Sequence, residues 1–193
     1  MARITSVTAA RKRKPGQPPF VCYTCRKPIV EGQAYNWVQP SRFSSRYNWH
    51  ADHAPPPPSV LESNEKRARA MEAFESAYDE LDAIDTDAVT DADDLMTLIR
   101  EVLDSCAEGV REAAEMWRES ATNIEDGFGH ATTISDEMNE HADLYDGVAD
   151  EVEQVADGLD EYRADEWDSI VEWARSAVEA AGEDLGSAEG EID

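Results

Sequence analysis

Two short pairs of metal-binding side chains lie within residues 20–53: Cys22-Tyr-Thr-Cys25 and, after 24 intervening residues, His50-Ala-Asp-His53. Thiolate and imidazole are the donors zinc takes in tetrahedral coordination, and two clustered pairs joined by a loop supply them while ordering little chain. The spacing predicts one structural zinc ion held by Cys22, Cys25, His50 and His53. Four protein ligands leave no coordination position open, so the expected site is closed and not catalytic. A segment this short buries little core, and metal binding is expected to supply much of its folding free energy.

The residues between the pairs read as a small β module. Pro28 and Gly32 suit a turn, Tyr35, Trp37 and Val38 a strand, and Phe43, Tyr47 and Trp49 a returning strand that delivers His50. The Cys-x-x-Cys pair, Pro28-Ile29, Gly32 and aromatic strands ending in Trp49-His50 resemble the finger of poly(ADP-ribose) polymerases, with His53 where that family has cysteine. The resemblance implies a finger that meets DNA breaks.

Charge divides the chain. Residues 1–54 hold nine Lys and Arg against two acidic residues, a net +7, whereas the remainder holds eight basic and 41 acidic residues, a net −33. A basic module joined to an acidic body is expected to prefer different partners at its two ends. Lysine is sparse, so a high-salt cytoplasm or a high-GC genome would also give this acidic excess, with surfaces serving solubility.

Residues 1–19 combine Arg11-Lys-Arg-Lys14 with Pro15, Gly16, Pro18 and Pro19 and read as a flexible basic arm. The finger module follows at 20–54, a Pro-rich linker at 55–60, an acidic helical body at 61–185 and an acidic tail at 186–193 that is expected to fray. No signal-peptide core and no run of about 18 apolar residues occurs, so a soluble, cytoplasmic protein is expected. Two of the three cysteines belong to the metal pair, as suits a reducing compartment.

Apolar periodicity predicts helices through the body. Over 59–84, Met71, Phe74, Tyr78 and Leu81 share a face. Over 91–125, Leu95, Ile99, Val102, Cys106, Ala113, Trp117, Ala121 and Ile124 form one stripe with Val110 nearby, which makes Cys106 a small core residue. Gly127 and Gly129 are expected to stop that helix, and Thr132, Thr133 and Ser135 offer N-caps for the next.

Ile134, Met138, His141, Tyr145, Val148, Val152, Val155 and Leu159 then alternate spacings of four and three, a heptad seam. A last helix over 161–182 places Trp167, Ile170, Ala174, Val178 and Ala181 on a face. The seam is too short for a long coiled coil, so the expected fold class is mainly α: a small N-terminal zinc-binding β module followed by an acidic antiparallel bundle of three or four helices.

No phosphate-binding glycine loop, nucleophile elbow or distinct acid–base pair stands out, and the reading is not an enzyme. His141 on the seam reads as a hydrogen-bonded core histidine or a boundary residue, and His130 beside the glycine turn as a cap or surface residue. The candidate nucleic-acid contacts are Arg11, Lys12, Arg13, Lys14, Arg26, Lys27, Arg42 and Arg46, with the aromatic residues available for base stacking if they face outward.

Across most of its length the chain also resembles a family of uncharacterised proteins of tailed viruses and their prokaryotic hosts. The resemblance lies in an N-terminal finger, an acidic helical region and a stretch like Trp117-Arg-Glu-Ser120-Ala-Thr-Asn123-Ile124 followed by Gly127-Phe128-Gly129-His130. It implies a viral or mobile-element accessory protein. DNA or RNA would meet the basic module, and the helical body would bind a protein or self-associate. The alternatives are a protein–protein adaptor and an acidic mimic of nucleic acid acting on a host factor.

Overall fold

The structure is a computed structural model describing residues 3–14, 16–41, 44–89, 91–159 and 167–192. The chain divides into two compact units, Met1–Ala68 and Arg69–Asp193. The first is a small β module and the second a helical bundle, so the fold is mainly α. Among the described residues no helix is long and apolar enough to cross a membrane.

In the first unit β1 (Thr5–Val7), β4 (Tyr35–Val38) and β5 (Tyr47–His50) make an antiparallel sheet in the order β1-β4-β5. Thr5 stands opposite Trp37, and Tyr35 opposite His50. A second hairpin pairs β2 (Phe20–Val21) with β3 (Pro28–Ile29). The core is small, formed by Ala10, Cys22, Ile29, Tyr35, Val38 and Trp49.

Two segments differ from the sequence expectation. Residues 5–7, placed in a flexible arm, form the edge strand β1, because Thr5-Ser-Val7 is β-prone and precedes the prolines that break the rest of the arm. The chain is tied down again just beyond, where the Ala10 N–H donates to Gln33 O (2.7 Å) and the Gly32 N–H to Ala10 O (2.9 Å). Gly32 sits at φ +88°, a conformation that favours glycine.

The proline segment 55–60, expected as a linker, lies inside the first unit. Pro56 is buried, the Thr24 hydroxyl donates to Ala54 O (3.1 Å), and Leu61, closing the short helix α1 (Pro58–Leu61), packs against the module's core.

The bundle comprises α2 (Glu65–Asp82), from Arg69 onward, with α3 (Ala92–Phe128), α4 (Thr133–Gly158) and α5 (Trp167–Ile192). Local chemistry marks the α3–α4 reversal. Asp91 caps α3 by accepting from the Asp93 N–H, Gly129 ends it at φ +74°, and Thr132 and Ser135 form a reciprocal capping box at the start of α4.

The pairing of α3 with α4 has a charged signature. Arg111 bridges to Asp150 and Glu153, and Arg118, seven residues on, bridges to Asp143 and Asp146, seven residues back. Steps of equal length in opposite directions are what two antiparallel helices with a heptad-like contact require.

Burial corrects three expected faces. In α2 the buried stripe is Ala70, Ala73, Ala77 and Leu81, with Phe74 half-buried and Tyr78 exposed, one position away from the stripe the large apolar residues suggest. The small side chains face inward because α2 approaches α3 closely at Gly109. In α3, Leu103 is fully buried where Val102 was expected and Val102 only borders the core. In α4, Tyr145, Val148 and Val152 are buried, as is Leu159 just past its end, but Ile134 is exposed because it falls in the first turn beside the capping Ser135.

α5 buries Ile170, Ala174, Val178 and Ala181. The expected helix start at 161–166 lies outside the described residues. The tail from Gly186, expected to fray, continues the helix to Ile192, anchored by buried Leu185.

Candidate metal centre and basic groove

The knuckle between β2 and β3 presents the first ligand pair. The Cys22 N–H donates to Lys27 O (2.8 Å) and the Arg26 N–H to Cys22 O (3.0 Å), a tight reversal in which Arg26 takes φ +59°. β5 delivers the second pair: His50 ends the strand, and the turn that follows is closed by the His53 N–H donating to His50 O (3.0 Å). A bond from the Tyr23 N–H to Asn48 O (2.7 Å) holds the knuckle against β5.

These elements bring one donor atom from each of Cys22, Cys25, His50 and His53 to within 4.8 Å of one another. Cys22 Sγ lies 3.3 Å from His53 Nδ1 and Cys25 Sγ 3.6 Å from His50 Nδ1. A tetrahedral zinc with bonds of about 2.3 Å to sulfur and 2.0 Å to nitrogen sets a sulfur–nitrogen edge of roughly 3.5 Å, so the quartet fits one such ion. The four residues can hold a metal ion with no fifth side chain required. Burial pushes the Cys22 thiol up, but the backbone N–H groups of Cys25 and His50, with the His53 ring, outweigh it and draw the thiol down to about 6, towards the thiolate a metal needs.

The basic residues named from sequence fall into separate places. Arg11, Lys12, Arg13 and Lys14 together line a groove of about 450 Å³, completed by Val7, Gln17, Phe20 and Tyr35. Among the described residues none of these four cations has a carboxylate within ion-pair distance. Arg13 is held by its Nε donating to Pro18 O (3.1 Å) and by the Phe20 ring 4.2 Å from its guanidinium carbon.

Arg46 lies over the Trp37 ring at 3.8 Å and the Phe20 ring at 4.8 Å, and donates to the Tyr35 hydroxyl (3.3 Å). It therefore shares Phe20 and Tyr35 with the groove. Arg26 stands apart on the knuckle over Tyr23, Lys27 is exposed beside it, and Arg42 lies outside the described residues, as does Phe43.

Sequence reasoning missed Val7, Gln17, Phe20 and Tyr35 as groove residues, because pairing of β1 with β4 and of β2 with β3 is what assembles them. Trp49 is buried in the module core.

In the bundle, Cys106 is buried and burial alone pushes its thiol up to about 12, as suits an inert core residue. His141 stacks on Trp117 with ring centres 4.5 Å apart and planes inclined by 16°. Its buried Nδ1 makes no hydrogen bond among the described residues, so it is a stacked boundary residue and not a hydrogen-bonded core histidine. His130 is exposed next to Gly129. No protein-family model, curated protein or solved structure matches the chain.

Proposed function

We propose that the first unit is a structural zinc finger that binds nucleic acid, and that the acidic bundle serves contacts with protein. The observation that carries this reading is the groove: four consecutive cations, Arg11 to Lys14, gathered with no carboxylate partner among the described residues in a chain of net charge −26. In the bundle, by contrast, Arg69, Arg111, Arg118 and Arg175 are all tied to carboxylates. A protein this acidic has ample means to neutralise a basic patch, and unpaired cations are what phosphate binding uses.

Zinc is the metal the donor set favours, since two thiolates and two imidazoles in a tetrahedral arrangement suit it better than they suit oxygen-seeking cations. Its part is to hold knuckle and strand together and so fix β2, whose Phe20 forms one wall of the groove.

The test uses the full-length zinc-loaded protein and labelled DNA and RNA across a salt series. Binding is expected to weaken steeply with salt, and Lys12→Gln with Lys14→Gln is expected to reduce the slope of log K against log salt by about 2. Binding that is absent, or indifferent to salt, refutes the reading and favours an adaptor that meets protein alone.

A further inference from the structure

The module's aromatic rings are poorly placed to receive bases. Phe20 carries the guanidinium of Arg13 and that of Arg46, Trp37 carries Arg46, and Tyr23 carries Arg26 and meets the edge of Tyr47. Tyr35 and Trp49 are buried. Each ring among the module's described residues is thus buried or already in contact with a guanidinium or another ring. A base seeking to stack on Phe20, or on the arginine-covered face of Trp37 or Tyr23, would have to displace a cation that the ring attracts, whereas single-strand binders gain roughly fivefold or more per stacked base from open rings.

The same contacts prepare the guanidiniums for a different ligand. An arginine held over an aromatic ring loses side-chain freedom before any ligand arrives, and its planar fork of N–H donors matches phosphate oxygens. Arg13, fixed by Phe20 and Pro18, and Arg46, fixed by Trp37 and Tyr35, have their guanidinium carbons 4.2 Å and 4.8 Å from the centre of the Phe20 ring, with Arg11, Lys12 and Lys14 supplying further charge along the groove.

We propose that this groove reads the phosphate backbone and not the bases, so that its ligand is double-stranded nucleic acid bound without regard to sequence. This rests on the nucleic-acid reading of the module and specifies its ligand. A duplex presents phosphates at higher density than a single strand and releases more counterions for each one neutralised, which favours it wherever stacking contributes nothing.

The experiment titrates the full-length zinc-loaded protein, at one low salt concentration, against two duplexes of unrelated sequence, one of their single strands, and an abasic strand of the same length. The duplexes are expected to bind equally and more tightly than either strand, with intact and abasic strands within threefold of each other. An intact strand bound more than threefold tighter than the abasic one, or tighter than the duplexes, overturns the inference while leaving nucleic-acid binding standing. Failure of all four probes to bind removes the nucleic-acid reading itself. Arg46→Lys and, in case that change disturbs the sheet, Arg13→Lys keep the charge but remove the planar fork. Each is expected to weaken all the probes that bind by a similar factor, and a loss confined to the intact single strand also overturns the proposal.

Discussion

Gly109 of α3 faces Ala73 of α2 so closely that a Cβ at Gly109 would stand 2.6 Å from the Ala73 Cβ. Glycine in a helix interior usually costs up to about 1 kcal/mol against alanine, so its presence in the middle of a 37-residue helix has a packing reason. Gly109→Ala gains helix propensity but forces two backbones apart, and overpacking costs typically 1–3 kcal/mol. The variant is expected to be destabilised in urea unfolding. Gly147→Ala provides the control: nothing lies within 4 Å of that site in α4, and it is expected to be stabilised by about 0.5–1 kcal/mol. Equal effects of the two substitutions would show that the approach of α2 to α3 is not what selects glycine.

The arginine forks between α3 and α4 predict a pH dependence with a definite sign. The hydrogen bond from Arg111 holds the Glu153 carboxyl below its ordinary value, so its contribution is fully present above the unfolded glutamate range and is lost as pH falls through the lowered folded value. Both side chains are more than a third exposed, which limits the effect to about 1 kcal/mol or less. Arg111→Met is therefore expected to lower stability modestly at pH 7, with the difference from wild type shrinking towards pH 3. The comparison has to be made as a difference, because protonating a body this acidic also relieves its self-repulsion. A gap that widens in acid would contradict the ion-pair account.

How much of this was legible depends on whether the determining contact is local. Cys22, Cys25, His50 and His53 could be read together because metal chemistry restricts donor type and spacing, and the α3–α4 reversal because Gly129 and Thr132 act on their own neighbours. The inward face of α2 was misread for the opposite reason: Met71 and Phe74 are more apolar than Ala70 and Ala73, yet the space available is set by Gly109 on another helix. The basic groove was half legible. Its cations stand in a row, whereas its walls depend on β1 joining β4, a pairing that the polar composition of residues 1–19 concealed.

Metal removal is expected to separate the two units. Among the described residues the module's buried core has six side chains, one of them the candidate ligand Cys22, and a domain that small is expected to depend on a bound metal. A strong chelator, or Cys22→Ser, is expected to abolish the near-ultraviolet signal of Trp37 and Trp49 and to release one metal ion per chain. The helical signal at 222 nm should change little, since the residues from Arg69 onward have their own core. Loss of most helical signal on chelation would mean that the bundle depends on the metal centre.

The cysteines give a final, chemically independent check. Thiol alkylation needs both exposure and thiolate, and Cys106 lacks both: it is 2 % exposed and its thiol is pushed up to about 12. Cys22 is buried too, but it belongs to the small module, so once the metal is gone and the module loosens, it is expected to become accessible and to react at about pH 8 together with Cys25. Alkylation followed by intact mass should thus give no label on the metal-loaded protein, two after chelation, and the third only when denaturant opens the bundle. Labelling of Cys106 at the second stage would show that α3 is not packed as a core helix at that level, and the burial that raises its thiol would have to be abandoned with it.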